Sequence, residues 1–165
     1  MEIERKWLTT GWPEGLQQIA RYRMRQGYLC LRPTVRIREE ALDGGKIAHV
    51  LCFKGPTDAE GLAREEIETE IELSLFQRLE RLIGKPLIAK EQRRYSLPGG
   101  LVLEANRVDE GQPGEFWYAE VEFSTQQLAR TWQPPEKLAA YLHHEVTRER
   151  GQTMGAYWRK TRENR

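Results

Sequence analysis

The residues of this sequence that could do chemistry stand at every second position of short segments. The chain begins MEIERKWL, in which Glu2, Glu4 and Lys6 alternate with Ile3 and Trp7. Residues i, i+2 and i+4 of a β-strand lie on one face. The first predicted strand therefore carries two carboxylates and an ammonium in a row, where an ordinary half-buried strand carries mixed polar residues.

Five later segments repeat this alternation of charged and apolar residues. Their charged or polar faces carry Arg36 and Arg38; Cys52 and Lys54; Arg64, Glu66, Glu68 and Glu70; Glu104 and Asn106; and Glu120 and Glu122. Like charges at such spacing repel each other, and cross-strand pairs contribute only about 0.2–1 kcal/mol each. A solvated sheet face held by ion pairs is the simpler interpretation, but the repetition favours charged walls around a ligand.

The combination of charges suits a polyanion that binds together with divalent cations. Guanidinium and ammonium groups bind phosphate oxygens. Carboxylates hold Mg²⁺ or Mn²⁺, which bridge to phosphates. A closed barrel of about eight strands can hold one small ligand in its interior. A barrel would therefore bring both signs of charge together around a phosphate chain.

The elements that would position these residues are mostly strands. The segment Glu2–Leu8 is the first, and TVRIREEAL and KIAHVLCFK form a hairpin around DGG. Helical spacing predicts a helix over about residues 14–25 and another in SLFQRLERLIGK, where Ser74 and Gln77 form a capping box and Gly84 is the stop. These elements predict an antiparallel β-rich fold with flanking helices.

Composition excludes several classes of function. The 165 residues are predicted to form one domain, and 26 basic against 25 acidic residues argue against a nucleic-acid binder. The sequence shows neither a secretory signal pattern nor an apolar run of about 18 residues, so we expect a cytoplasmic protein that does not enter a membrane. Cys30 and Cys52 have no metal-site spacing, and both are predicted to be buried thiols.

The motifs resemble, in order, those of the triphosphate tunnel metalloenzymes, or CYTH superfamily. EIERK fits the family's Glu-x-Glu-x-Lys signature, and QGYL followed by VRIR is similar to its second signature. CFK, REEIETEI, AEVEF and the late EVT resemble its later strands, so the resemblance covers nearly the whole chain. It implies an α+β fold built on a closed eight-stranded antiparallel β-barrel, or tunnel, with flanking helices, in which a linear triphosphate binds.

The resemblance also implies roles for single residues. Those that would bind substrate are Lys6, Arg36, Arg38, Lys54, Arg64 and Arg94, with Tyr28 near the entrance. Glu2, Glu4 and Glu122 would hold the metal, Mg²⁺ or Mn²⁺. Glu120 also belongs to the family's metal-binding set, and either Glu120 or Glu68 would orient the attacking water.

Two departures from the family pattern affect the acidic and polar positions. Cys52 stands where a threonine is frequent, and Asn106 stands where an aspartate is common. The second change would remove one ligand of a metal or water. Glu104, on the same strand face, could compensate.

A third departure affects the Lys-x-Arg motif of the family's fifth long strand, which is matched here by KEQRRY. Matching Arg94 to the arginine places Gln92 at the lysine position, while Lys90 lies two residues earlier on the same face. Alternatively, a one-residue bulge would turn Arg93 inward.

The function expected from this sequence is metal-dependent hydrolysis of a linear triphosphate, with inorganic tripolyphosphate favoured over nucleoside or organic triphosphates. Two alternatives stay open: a class IV-type adenylate cyclase that makes cyclic AMP from ATP, and a non-catalytic polyphosphate-binding module. The expected partner is a small triphosphate-containing molecule, and the sequence leaves a homodimer open.

Overall fold

Ten β-strands dominate the computed structural model, which describes residues 1–164. The strands are β1 (Glu2–Thr9), β2 (Gln18–Leu31), β3 (Thr34–Leu42), β4 (Ile47–Lys54), β5 (Ala63–Arg64), β6 (Glu66–Glu70), β7 (Ile88–Ser96), β8 (Val102–Val108), β9 (Phe116–Glu122) and β10 (His144–Glu145). The α-helices of the same residues are α1 (Leu73–Ile83), α2 (Gln126–Thr131) and α3 (Met154–Trp158), which continues into a π-helical turn, Arg159–Glu163. None of these helices is long and apolar enough to cross a membrane.

The strands form one antiparallel sheet in the order β10-β1-β9-β8-β7-β2-β3-β4-β6. The sheet closes because β6 pairs with β4 while β5, one residue before it, pairs with β1. With β5 and β6 counted as one interrupted strand, the barrel has eight strands, and the two-residue β10 is added beside β1. The predicted antiparallel barrel is confirmed, although its closure rests on two residue pairs, Glu2 with Arg64 and Ile3 with Ala63.

The helix predicted over residues 14–25 is wrong. Most of that segment belongs to β2, a strand of 14 residues that pairs with β3 on one side and β7 on the other. The helical spacing came from Leu16, Ile19 and Ala20, which lie before and across a register shift of β2 between Gln18 and Ala20. Pairing along both edges outweighed this weak local signal.

Helix α1 was predicted correctly except at its first residue. It begins at Leu73 after Glu72, so Ser74 lies inside the helix and forms no capping box. Gly84 ends it in the left-handed conformation, with φ of 66°, and donates its N–H to the Glu80 carbonyl. The helix packs on the barrel through Phe76, which is fully buried against the ring of His49.

Apolar residues of β1, β8 and β9 face outward, into a core beneath α2 and the segment that follows it. Trp7, Leu103 and Val121 are almost completely buried there, with Ala129 of α2 and Leu138. Full burial of such a side chain is worth roughly 1.5–3 kcal/mol. Because these residues pack outward, their neighbours at alternate positions must face the barrel interior.

A second apolar cluster closes one end of the barrel. Tyr28 and Tyr118 from the strands pack against Met154 and Trp158 of α3. The C-terminal segment is fastened there by Asp109, whose carboxylate accepts hydrogen bonds from the Tyr157 hydroxyl at 2.5 Å and from Arg162 at 2.7 and 3.1 Å. This end of the barrel is therefore closed by α3.

We expect Asp109→Ala to lower the free energy of unfolding by about 3–5 kcal/mol, because it leaves the buried Arg162 guanidinium without its charge partner. Glu110→Ala is the matched control, since the Glu110 side chain is 67% exposed and forms a surface ion pair with Arg107; it should change the stability by less than about 0.5 kcal/mol. Urea denaturation measures both. Equal stabilities of the two variants would show that the C-terminal segment is not fastened by Asp109.

Candidate active site in the barrel interior

Cross-strand register brings the predicted site residues onto one face. Directly opposed residues of an antiparallel pair point to the same side of the sheet. Between β1 and β9, Glu4 lies opposite Glu122 and Lys6 opposite Glu120. The other opposed pairs on this face include Glu2 with Arg64, Lys54 with Glu66, Cys52 with Glu68, Arg36 with Tyr28, and Arg94 with Glu104.

Arg36 and Arg38 follow the same rule, since Arg36 lies opposite Cys52 and Arg38 opposite Gln26. Every residue predicted for the site thus shares the interior face.

An ion cluster forms where β1, β4, β5 and β6 meet. The Lys54 ammonium lies 3.0 Å from both carboxylate oxygens of Glu2 and 3.1 Å from Glu66, and Arg64 donates to Glu2 at 3.2 Å. Burial alone would raise the pKa of Glu2, but Lys54, Glu66 and Arg64 together hold that pKa at about 2. Glu2 is therefore ionised throughout the neutral range.

Glu4 and Glu120 form a second, electrostatically strained pair. Burial first, then the nearby charges of Glu120 and Glu2, raise the pKa of Glu4 well above its usual range. The pKa of Glu120 is lowered, despite burial, by its hydrogen bond with Glu4 and by Lys6 and Lys90. Two partly buried carboxylates that share a hydrogen bond need a shared proton or a cation between them. Their oxygen atoms are the ligands that Mg²⁺ and Mn²⁺ prefer.

Glu122 and Glu68 lie nearer to solvent. Burial and the charges of Glu2 and Glu120 raise the pKa of Glu122, although this residue is exposed at the open end of the barrel. Glu68 is also exposed, 3.9 Å from Arg38, and offers a ligand atom within 4.8 Å of those of Cys52 and Glu66. The acidic residues therefore run from the buried centre to the open end.

The basic residues of the barrel interior, which we call the basic wall, include a guanidinium without a carboxylate partner. Arg36 is 7% exposed, and its Nε has no hydrogen-bond partner among residues 1–164. Burial lowers its pKa, but the nearby Tyr28, Cys52, Glu2 and Glu66 raise it further, so Arg36 stays charged. A buried, incompletely bonded cation indicates space for an anion.

Lys6 has a protein partner at present. Its ammonium donates to the Gln152 carbonyl at 2.5 Å and lies 4.2 Å from the Tyr118 ring centroid. Burial lowers its pKa. The segment before α3 thus reaches into the interior and contacts a predicted phosphate ligand.

The structure revises the position of Tyr28. It was expected near the entrance, but it lies at the closed end, 5.7 Å from Trp158 between ring centroids, where its hydroxyl accepts from Gln26.

Arg93 does not turn inward. It stacks on Trp12, 4.0 Å from the ring centroid, on the outer face, because the register shift lies in β2 and not in β7. The bulge considered for β7 is therefore wrong.

Cys30 is exposed, which corrects its prediction as a buried thiol, whereas Cys52 is buried as expected; both are free thiols.

Gln92 and Asn106, which both depart from the family pattern, lie opposite each other on β7 and β8. The Gln92 amide donates to the Asn106 oxygen at 3.0 Å, and its own oxygen accepts from Arg94 at 2.9 Å. A neutral amide pair therefore occupies the place where the family pattern has a lysine and an aspartate. Both residues are buried and hydrogen-bonded, so the exchange leaves neither group unsatisfied.

Known proteins of related sequence and structure share this architecture. No family model matches the chain. An inorganic triphosphatase from Nitrosomonas europaea is 29% identical over 153 residues, which are 90% of this chain and 91% of that protein. The crystal structure of the inorganic triphosphatase NE1496 superposes with a TM-score of 0.61, with 24% identity and coverage of 95% and 93%. The chain has the triphosphate tunnel fold of the CYTH superfamily.

A more distant solved structure has the same fold. The adenylyl cyclase candidate HpAC1 from Hippeastrum, described as having a dominant triphosphatase activity, superposes with a TM-score of 0.53 and 18% identity, over 79% of this chain and 83% of that one. The resemblance read from the motifs is confirmed at the level of the fold.

Two tunnel residues, Lys90 and Tyr118, were missing from the predicted site. Lys90 is 7% exposed, and its ammonium donates to the Tyr118 hydroxyl at 3.0 Å. The signal for both was present: Tyr118 alternates with Glu120 in FWYAEVE, and Lys90 alternates with Gln92 and Arg94. Burial first, and then Arg38 and Arg36, lower the pKa of Lys90 to about 7.

This lowered pKa predicts a pH-dependent cost of folding. Below pH 7 both the folded and unfolded chains carry the Lys90 charge, and the folded chain bears the full cost of burying it. Between about pH 7 and 10.5 the unfolded chain binds the extra proton, so stability rises with pH. We expect ligand-free Lys90→Gln to be more stable than the wild type at pH 7, with a difference that shrinks toward pH 10. Urea denaturation at both pH values tests this, and a constant difference would contradict it.

Proposed function

We propose that the chain hydrolyses a linear triphosphate inside the tunnel, with inorganic tripolyphosphate as the favoured substrate and Mg²⁺ or Mn²⁺ as cofactor. The observation that carries this proposal is one interior face that holds both a buried arginine with an unbonded Nε, Arg36, and a pair of mutually repelling carboxylates, Glu4 and Glu120. The inorganic triphosphatase from Nitrosomonas europaea, 29% identical across nearly the full length of both chains, supports the same chemistry.

The carboxylates fit a divalent cation. Glu2, Glu4 and Glu122 would hold it, with Glu120 beside them, because all four share the interior face, Glu4 lies opposite Glu122, and Glu4 and Glu120 repel each other. A bound cation would neutralise phosphate charge and lower the pKa of a bound water.

The basic residues would hold the phosphate chain. Arg36 and Arg38 offer guanidinium donors to phosphate oxygens, and Lys54 lies between Glu2 and Glu66, close to the carboxylates. Lys6 would exchange its bond to the Gln152 carbonyl for a phosphate oxygen. Arg64 and Arg94 stand toward the open end.

The reaction follows from these positions. A water held by Glu120 or Glu68 attacks the terminal phosphorus, the bond to the bridging oxygen breaks, and the cations stabilise the charge that develops on the departing pyrophosphate. The carboxylate takes the proton of the water, and the products are pyrophosphate and orthophosphate.

One observation favours the alternative of a binding module. The Gln92–Asn106 pair supplies no charge at a place where the family pattern supplies two, which would weaken catalysis more than binding. The fold shared with HpAC1, a cyclase candidate with a dominant triphosphatase activity, does not separate the cyclase alternative from the hydrolase.

A phosphate-release screen separates these functions. Tripolyphosphate, ATP and thiamine triphosphate are each incubated with the protein and Mg²⁺ or Mn²⁺, and cyclic AMP is measured in the ATP samples. We expect release to be fastest from tripolyphosphate. Binding of tripolyphosphate without release would establish the binding module, and cyclic AMP as the main product would establish the cyclase.

A further inference from the structure

Lys90 is a buried ammonium that the family pattern leaves without a role. It is 7% exposed and hydrogen-bonds only to the neutral Tyr118 hydroxyl, at 3.0 Å, and among residues 1–164 it forms no ion pair with a carboxylate. Burying a charge is costly unless a counterion accompanies it. The fold therefore keeps an unfavourable group inside the tunnel.

The cations nearest to Lys90 make this position less favourable still. Arg38 and Arg36 both repel its charge. Arg38 is neutralised by Glu40, its Nε donating at 2.6 Å, but the Arg36 Nε has no partner among the described residues. Glu120 and Glu104 favour the Lys90 charge less than these two arginines oppose it, and neither carboxylate forms an ion pair with Lys90 or Arg36. Two buried cations without an ion-pair partner among the described residues are the arrangement expected of an anion-binding subsite.

This space lies at the closed end of the tunnel. Lys90 stands opposite Met24 and Val108, and Val108 and Tyr118 belong to the apolar cluster that α3 covers with Trp158. An anion bound there has no path past α3, so it must be the end of a chain.

We propose that Lys90 and the Tyr118 hydroxyl bind the innermost, terminal phosphate of the substrate, together with Arg36. Lys90 would thereby supply the cation that Gln92 lacks, about 7 Å further along β7. The consequence is a preference for substrates with an unmodified terminal phosphate, of which inorganic tripolyphosphate has two. This inference rests on the proposed triphosphatase function and names an additional substrate-binding pair for it.

The test compares Lys90→Gln with Lys46→Gln. Both remove one lysine charge, but the Lys46 side chain is 75% exposed, near the hairpin turn on the outside of the barrel. Binding of inorganic tripolyphosphate is measured by calorimetry in EDTA, where turnover is suppressed. The repulsion from the metal-free carboxylates is the same in the wild type and in both variants, so it cancels in the comparison. We expect Lys90→Gln to raise Kd by about 10-fold or more, the usual scale of a hydrogen bond to a charged group, and Lys46→Gln to change it less than twofold.

A second variant separates binding from folding. Tyr118→Phe keeps the ring and removes only the hydroxyl, so it should weaken binding by a smaller factor. The double variant should lose less than the product of the two single factors, because both groups act on one phosphate.

If Lys90→Gln binds tripolyphosphate like Lys46→Gln while the wild type hydrolyses it, this inference falls and the proposed function stands. If the wild type neither binds nor hydrolyses tripolyphosphate, both fall.

Discussion

In an excess of EDTA, phosphate release from tripolyphosphate is expected to fall to the uncatalysed background, and added Mg²⁺ or Mn²⁺ is expected to restore it. The reason is the cluster of carboxylates in the barrel interior. Glu2 is ionised with a pKa of about 2, and Glu4 lies against Glu120, so without a cation these groups repel both each other and a triphosphate. The measurement is a continuous phosphate assay with each metal titrated back separately.

The control for this experiment is EDTA saturated with Mg²⁺ beforehand, which exposes the protein to the chelator without removing its metal and should leave the rate unchanged. Full turnover in metal-free EDTA would rule out the metal-dependent mechanism, while leaving open a phosphate hydrolysis driven by the basic wall alone.

The second large effect is expected from Glu4→Gln, which should lower kcat by roughly 100-fold or more, on the scale of about 2.7 kcal/mol in barrier height. The substitution removes a proposed metal ligand from the barrel interior and preserves the shape of the side chain. It should not unfold the protein, since it also removes the repulsion between Glu4 and Glu120. Glu14→Gln, an exposed glutamate outside the tunnel, is the matched control and should retain full kcat.

Lys6→Met should mainly raise KM, whereas Glu4→Gln should mainly lower kcat. Lys6 is one of several cations that would contact the phosphates, so we expect KM to rise while measurable turnover survives. Its present partner is the Gln152 carbonyl, which can accept a hydrogen bond from water once the ammonium is gone.

Wild-type kinetics for Glu4→Gln, with the same metal requirement, would show that Glu4 is an ordinary polar residue of the barrel interior.

The charged interior could be predicted from the sequence because a strand face repeats every two residues and needs no knowledge of distant contacts. Glu2, Glu4 and Lys6 share a face whatever β1 pairs with, and Arg36 and Arg38 share one for the same reason. The interior position of all five follows from the buried apolar residues Ile3, Trp7 and Ile37, which stand at the alternate positions and pack on the outer side of the barrel. Local periodicity was sufficient here.

Features that depend on pairing between distant segments could not be predicted. Gln92 and Asn106 each look like a lost charge in the sequence, and only the register of β7 and β8 shows that their amides satisfy each other. The closed end depends on the contact between Asp109 and Arg162, 53 residues apart, so the location of Tyr28 was mistaken. In β2, the weak helical signal was overruled by two neighbouring strands.

Exposure to solvent distinguishes the two carboxylates proposed to orient the attacking water. Glu68 and Glu122 are exposed at the open end, whereas Glu4 and Glu120 are partly buried, and this difference favours Glu120 over Glu68 as the residue that orients the attacking water. Burial keeps bulk water away from a group that must hold one water molecule in line.

The most direct test of a tunnel that hydrolyses a linear triphosphate is ³¹P NMR of tripolyphosphate mixed with the wild-type protein and Mg²⁺. We predict that the tripolyphosphate signals disappear with time while those of pyrophosphate and orthophosphate grow in equal molar amounts. Tripolyphosphate signals that persist unchanged with both Mg²⁺ and Mn²⁺, or that broaden on binding without any conversion, would contradict a hydrolytic function.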